Sequence, residues 1–198
     1  YRETMIYSFQ LEEFLNAYIN DHFDEVFEDY YKTKTPRYVS HILVKMEDPD
    51  KPTEEEQKRL NEVQKLIDDG VDFAQIAKDY SDDGSASTGG QLGICDKDTS
   101  FVTSFKEVAL KLKEGEISKA TKSEYGYHFI TVTSTNKEEM KKDPQVTDEL
   151  LTSYDDYMLY VALQNYELTF ENPDIEKIFT TELEKSLASR EASRKEAK

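Results

Sequence analysis

The chain has 198 residues and a formal net charge of −17, with 37% hydrophobic and 34% charged residues and a single cysteine, Cys95. It is long enough to bury a hydrophobic core, and its composition is that of a protein with a polar surface. The acidity argues against nucleic-acid binding, because phosphates need a basic face, and no run approaches the roughly 18 apolar residues of a membrane-spanning helix.

The first predicted element is an amphipathic helix over residues 11–31, where apolar side chains recur at three- and four-residue intervals. It ends in the segment KTKTP, because Pro36 disfavours helical backbone at Thr35. The β-branched segment RYVSHILVKM, residues 37–46, then predicts a strand.

Two helices and a loop are predicted next. Thr53 and Glu56 have the spacing of a capping box, which predicts a helix that runs to about Asp69. A short helix follows over residues 73–80. The polar, glycine-rich stretch SDDGSASTGGQLG, residues 81–93, predicts a loop.

The middle of the chain continues with alternating strands and helices. QLGIC predicts a short strand over 91–95, SFKEVALKLK a helix from about Ser104 to Lys113, and YHFITVTST a strand over 127–135. Residues 37–136 therefore read as one mixed α/β block.

The C-terminal part is predicted to be helical. Apolar residues form one helical stripe over 147–170 and a second over 175–187, and the charged residues 188–198 are expected to be frayed. The simplest organisation is a compact domain at 37–137, inserted between an N-terminal helical arm, residues 1–36, and a C-terminal arm, residues 138–198, that pack together.

Several kinds of site are disfavoured. Gly84 and Gly89 have the spacing of a phosphate-binding loop, but Gly90 stands where its lysine must be. Cys95 has no neighbour at the spacing of paired zinc ligands, and no Gly-x-Ser-x-Gly segment is present for nucleophilic hydrolysis. The sequence therefore predicts neither a metal nor a cofactor.

Two of the three histidines, His41 and His128, lie in the predicted strands that bracket the block. Taken alone, they would suit buried histidines with backbone hydrogen bonds. Together with YSDDGSASTGGQLG, FKEVALKLKEGEIS and SEYGYHFI, in this order, the block from Arg37 to Lys137 resembles the parvulin family of peptidyl-prolyl cis/trans isomerases. That resemblance implies an α+β fold, with a four-stranded antiparallel sheet surrounded by helices, and non-covalent isomerisation of X-Pro bonds without a cofactor.

The resemblance also implies a set of site residues. The catalytic candidates are His41, Asp83, Ser123, Tyr125 and His128, and the apolar cup for the proline ring is Leu92, Phe101 and Phe105. Without the resemblance, these three apolar residues would be assigned to core packing. Three departures from the family pattern are Phe101, which replaces a frequent Met, Ala120, where Pro is common, and one extra residue between Leu92 and Phe105.

The layout of a parvulin domain between helical arms resembles the PrsA-type foldases. Such proteins are extracytoplasmic lipoproteins of Gram-positive bacteria, anchored to the outer face of the cell membrane, and they assist the folding of exported polypeptides. The resemblance implies unfolded or partly folded clients with X-Pro bonds, and a signal peptide and lipidated cysteine that the printed sequence does not contain. A homodimer, an inactive parvulin-like holdase that only binds extended chains, and a purely structural interaction module are left open.

Overall fold

The computed structural model describes residues 13–14, 16–153 and 169–196. The chain divides into two compact units, one of Lys34–Met140 and the other of Tyr1–Thr33 with Lys141–Lys198. The α-helices with defined bounds are α1 (Phe23–Lys34), α2 (Glu54–Asp68), α3 (Phe73–Tyr80), α4 (Thr103–Ala109), α5 (Lys137–Met140), α6 (Pro144–Ser153) and α7 (Pro173–Glu196), with a 3-10 helix at Gly84–Thr88. Residues 13–14 and 16–21 are helical as well. The strands are β1 (Arg37–Lys45), β2 (Gln91–Cys95), β3 (Thr121–Ser123) and β4 (Gly126–Ser134).

The four strands form one sheet in the order β2-β1-β4-β3, and every neighbouring pair is antiparallel. The predicted four-stranded antiparallel sheet with surrounding helices is therefore confirmed. Strand β1 lies inside the sheet and is buried from Val39 to Val44. This explains why Ile42, Leu43 and Val44 are consecutive apolar residues, without the alternation of polar and apolar residues of a half-exposed strand.

The two faces of the sheet carry separate hydrophobic clusters. On one face Ile42, Val44 and Phe129 pack with side chains of α2 and α3. On the other face Val39, Ile130 and Val132 pack with residues of α4, among them Phe105. Because side chains alternate between faces along a strand, His41 lies on the same face as Val39 and beneath α4.

The helix predicted over 11–31 differs from the structure in two respects. It is interrupted by a turn at His22, whose backbone N–H and Nδ1 lie 3.0 and 2.9 Å from the carbonyl oxygen of Tyr18. It then continues to Lys34, since Pro36 bars helical backbone only at Thr35, which has a φ of 52°. Residues 11, 12 and 15 lie outside the described part.

Helix α4 ends at Ala109, four residues before the predicted Lys113. The guanidinium of Arg37 donates hydrogen bonds to the carbonyl oxygens of Ala109 and Leu112, at 2.9 and 2.8 Å, and so satisfies groups that a longer helix would have bonded. The predicted loop 81–93 contains the 3-10 helix, and the three-residue strand β3 was not predicted as an element because it is too short to show periodicity.

In the C-terminal part, α6 covers the start of the helix predicted over 147–170, whereas 154–168 lies outside the described residues. Residues 169 and 170 are not helical; Asn172 instead caps α7 through the backbone N–H of Asp174, at 2.9 Å. The prediction that 188–198 are frayed was wrong for 188–196, where Ala, Glu, Arg and Lys favour helix. No helix of the described residues is both long and apolar enough for a transmembrane span.

Candidate active site

The site is centred on two histidines that the sheet register places diagonally across β1 and β4. His41 pairs with Ile130 and Leu43 pairs with His128, so that the two histidines share one face of the sheet. Their rings stack with centroids 5.4 Å apart and an interplanar angle of 18°. Both are buried, at 5% and 4% exposure, which removes most competition from water.

A chain of close polar contacts passes through this pair. Nδ1 of His41 lies 3.2 Å from Nδ1 of His128, and Nε2 of His128 lies 2.6 Å from the hydroxyl of Ser123. On the other side, Nε2 of His41 lies 3.1 Å from Oδ1 of Asp83. That last contact has the distance of an ion pair but not the angles of a hydrogen bond.

The Asp83 carboxylate, at one end of this series of polar contacts, determines the direction of the hydrogen bonds. An Asp83 carboxylate beside Nε2 of His41 favours a proton on that nitrogen, because a lone pair there would face a negative charge. In the neutral His41 ring Nδ1 is then an acceptor, so His128 donates from its own Nδ1. Nε2 of His128 accepts from the Ser123 hydroxyl, which in turn accepts the backbone N–H of Tyr125 at 3.1 Å.

Asp83 remains ionised at neutral pH. Partial burial acts to raise its pKa, but hydrogen bonds from the hydroxyl and the backbone N–H of Ser85, and the neighbouring His41, outweigh this and hold the pKa at about 2. The same carboxylate is the N-cap of the 3-10 helix, and its side chain is 32% exposed. It is therefore a fixed negative charge at the edge of a buried histidine pair.

His128 remains uncharged over the physiological pH range. Burial, and after it the neighbouring His41, lower the pKa of His128 to about 4. An uncharged, buried His128 suits a role in shaping the site, rather than in taking up a substrate proton.

An apolar side chain, Phe105, lies against both histidines. It is 2% exposed and meets both imidazole rings edge to face, with centroids 5.6 Å from each. Phe101 meets Phe105 in the same way at 5.2 Å, and Leu92 packs partly buried against the hydrophobic cluster that contains Phe105. The structure thus brings the three predicted cup residues into one apolar cluster, in which Phe105 contacts the histidine pair.

Tyr125 lies at the rim rather than inside the site. Its side chain belongs to the exposed large apolar groups, at 51% exposure. Its backbone N–H, not its phenol, contacts Ser123.

A close backbone approach behind the site depends on glycine. Gly90 has a φ of +80°, and its carbonyl oxygen accepts the backbone N–H of His41 at 2.8 Å. A Cβ at Gly90 would lie 2.1 Å from the carbonyl oxygen of His41. The glycine-rich stretch is therefore required for packing against β1, a requirement that the sequence shows only as a glycine pair.

Other contributors were missed by sequence reasoning. Ser85 donates to Asp83, and Asp96 is a buried carboxylate at the start of the loop that carries Phe101. Both belong to residue types common in loops, so nothing in the local pattern separates them from ordinary turn residues.

Burial raises the pKa of the Cys95 thiol to about 11, which leaves it an inert core group. Among the described residues no three His, Cys, Asp or Glu side chains form a group that could hold a metal ion.

Comparison with known proteins agrees with this geometry. A family model described as the PPIC-type PPIase domain, or rotamase, matches residues 41–134. Residues 41–134 therefore form a PPIC-type peptidyl-prolyl isomerase domain, the domain type of the parvulins.

The matched relatives are foldases. The foldase protein PrsA of Geobacillus sp. strain WCH70 is 40% identical over 129 residues, which are 64% of this chain and 42% of that protein. The foldase protein PrsA of Bacillus subtilis strain 168 is 42% identical over 107 residues, which are 53% of this chain and 33% of that protein. The matched part thus spans less than half of these relatives.

Two solved structures are also similar to this chain. The crystal structure of PrsA from Bacillus subtilis has a TM-score of 0.46 at 27% identity and covers 85% of this chain and 66% of that one. The solution structure of TbPIN1 has a TM-score of 0.44 at 27% identity and covers 50% of this chain and 97% of that one.

Proposed function

We propose that the chain is an active peptidyl-prolyl cis/trans isomerase that serves as a foldase for exported polypeptides. The observation that carries the proposal is the continuous site in which Ser123, His128, His41 and Asp83 lie in contact beneath the Phe105 ring. The site combines an apolar receptacle for a prolyl ring with one fixed negative charge.

The chemistry requires no covalent intermediate. The barrier to rotation about a peptide bond is about 18–20 kcal/mol, because twisting the bond breaks amide resonance. A planar amide is more polar than a twisted one, so an apolar cup disfavours the ground state relative to the transition state.

Asp83 adds an electrostatic contribution in the same direction. In the planar amide the carbonyl oxygen carries negative charge, and in the twisted amide it loses part of that charge. A carboxylate beside that oxygen therefore opposes the planar form. The low pKa of Asp83 keeps this charge present at neutral pH.

The two histidines act by holding this arrangement. Their buried hydrogen bond joins the sheet to Ser123 on one side and to Asp83 on the other. Loss of either ring would leave its partner with an unsatisfied buried nitrogen.

The names of the relatives support a role in protein folding. We infer that the clients are unfolded or partly folded exported chains with X-Pro bonds, and that the full-length protein is anchored to the outer face of the cell membrane through a lipid. The helical arms, 1–36 and 138–198, would contribute client binding, and a homodimer is compatible with this role.

A protease-coupled assay on an X-Pro tetrapeptide tests the isomerase directly. The full chain should accelerate the cis-to-trans phase in proportion to its concentration. A chain that binds Pro-containing peptide without any acceleration would instead be the inactive holdase. A chain that neither binds nor accelerates would be a structural module.

A second assay separates the arms from the domain. The block 37–137 should keep its peptide isomerase activity but fail to suppress aggregation of a denatured protein, whereas the full chain does both. Equal suppression by the isolated block would contradict a chaperone role for the arms.

A further inference from the structure

The loop between β2 and α4 carries Phe101 to the apolar cup, and we call residues 96–101 the cup loop. Its first residue, Asp96, is only 2% exposed although it bears a carboxylate. Oδ1 of Asp96 accepts the backbone N–H groups of Asp98 and Thr99, both at 2.8 Å, and the Thr99 hydroxyl at 2.9 Å. The backbone N–H of Asp96 donates to the Thr99 hydroxyl oxygen at 2.9 Å, so one buried carboxylate closes the loop on itself.

Lys106 ties the same loop to helix α4. Its ammonium donates to the carbonyl oxygens of Lys97 at 2.9 Å and Thr99 at 3.2 Å. Lys106 directly follows Phe105 in the sequence. The helix that carries Phe105 is thus bound to the loop that carries Phe101.

A third contact joins the cup loop to Lys34, the last residue of α1. The backbone N–H of Lys97 donates to the carbonyl oxygen of Lys34 at 3.2 Å, and the Lys34 ammonium forms an ion pair with Asp98. The cup loop is thus bonded to itself, to Lys106 of α4 and to Lys34, and Asp96 is the buried carboxylate among these contacts.

We propose that Asp96 is a positioning residue for the proline cup. It holds the cup loop in the conformation that sets Phe101 edge to face against Phe105, and thereby it determines how tightly the cup binds a prolyl residue. The inference rests on the proposed function, because it takes the cup to be the site that receives proline.

One feature favours this role over an ordinary turn. A turn needs no buried carboxylate, and a carboxylate taken out of water costs free energy unless hydrogen bonds replace the lost solvation. The three hydrogen bonds to Oδ1 of Asp96 replace that solvation only while the cup loop keeps this conformation.

The expected effect falls on binding more than on turnover. Phe101 would contact the prolyl ring equally in the planar and in the twisted state of the X-Pro bond. Because an interaction that is equal in both states binds the ground state and the transition state alike, its loss raises KM and leaves kcat unchanged. A role in the rotation step itself would change kcat.

The test compares three variants of the full chain. Asp96→Ala removes the acceptor, Asp96→Asn keeps an Oδ1 that can accept the same hydrogen bonds, and Asp72→Ala is the matched control. Asp72 is also an aspartate that caps backbone, with Oδ1 accepting the N–H of Gln75 at 2.9 Å, but it lies at the start of α3 and outside the site. KM and kcat are measured on an X-Pro tetrapeptide, and Kd for the same peptide by chemical-shift titration.

Asp96→Ala should raise KM and Kd about five- to tenfold with kcat within about twofold of the unchanged chain. Asp96→Asn and Asp72→Ala should both stay within about twofold in all three quantities. An unchanged Kd in folded Asp96→Ala would overturn the inference, and so would a loss confined to kcat.

Two further variants apply if Asp96→Ala does not fold. Thr99→Val removes the hydroxyl that bonds Asp96, and Lys106→Met removes the ammonium while keeping most of the side chain. Unchanged Kd values in both would overturn the inference. Failure of the proposed function is distinct: a chain that binds the peptide without turnover still gives the Kd series, and a chain that does not bind the peptide overturns both.

Discussion

Replacement of Gly90 by alanine should displace the backbone of His41 and thereby destabilise the site. Gly90 has a left-handed φ of +80°, and a Cβ there would lie 2.1 Å from the carbonyl oxygen of His41 and 3.2 Å from Cβ of Ala77. The first contact is far inside van der Waals distance and involves backbone, which cannot rotate away as a side chain could. Strand β1 and the loop must therefore separate, and the hydrogen bond from His41 N–H to Gly90 lengthens or breaks.

The size of the effect follows from three contributions. A left-handed backbone costs a residue with a Cβ about 1–2 kcal/mol. Relief of an overlap in a packed interior costs about 1–3 kcal/mol, and the loss of one backbone hydrogen bond about 1 kcal/mol. Gly90→Ala should therefore destabilise the unit Lys34–Met140 by about 3–6 kcal/mol, a large share of the usual 5–15 kcal/mol of a folded protein.

Gly84→Ala is the control, because it lies in the same glycine-rich stretch. Gly84 has no atom within 4 Å of an added Cβ, so its substitution should stay within about 0.5 kcal/mol of the unchanged chain. Urea unfolding is followed by the ring proton signals of His41 and His128, since the chain has only three histidines. Equal unfolding midpoints for the two variants would refute the close approach of Gly90 to β1.

Further predictions concern single side chains and substrate charge. Asp83→Ala and His128→Ala should each lower kcat/KM in a folded domain, and wild-type rates in both would refute the site assignment. Leu92→Ala should weaken peptide binding in a titration and cost about 2 kcal/mol of unfolding free energy; unchanged affinity would place Leu92 outside the cup. Burial lowers the pKa of His128 from 6.5 to about 4, so the unfolded chain takes up the proton first as the pH falls. The free energy of unfolding should therefore decrease between pH 6.5 and 4, by up to about 3 kcal/mol, and an equal decrease in His128→Gln would contradict this origin. Unphosphorylated peptides should be isomerised at least as fast as matched phosphoserine-proline peptides, because the acidic residues of the loop after β1 outnumber Lys45 and Lys51; a strong preference for the phosphopeptide would argue against it.

Features of the fold that depend on neighbouring residues could be predicted from the sequence. The capping box of Thr53 and Glu56 is present at the start of α2, as its four-residue pattern indicated. The strands that carry His41 and His128 also lie where their β-branched runs predicted them. In each case the information lies within a few residues of the element it specifies.

Features that depend on distant residues could not be predicted. The end of α4 is determined by Arg37, which is 72 residues away from Ala109 in sequence. The burial of Asp96 follows from the packing of the cup loop against α4, and Asp96 reads in the sequence as an exposed turn residue. The histidine pair itself was expected from the resemblance to parvulins, whereas its link to Ser123 through Nε2 of His128 is visible only in three dimensions.

Exchange spectroscopy by NMR on a short X-Pro peptide, with the full chain present in catalytic amount, tests the central claim most directly. It measures cis/trans interconversion at equilibrium and needs no coupled protease. The proposed site predicts exchange cross-peaks that are absent from the peptide alone, and that weaken strongly with Asp83→Ala at the same protein concentration. Interconversion at the uncatalysed rate with the folded, unchanged chain would contradict the assignment of this site as a prolyl isomerase.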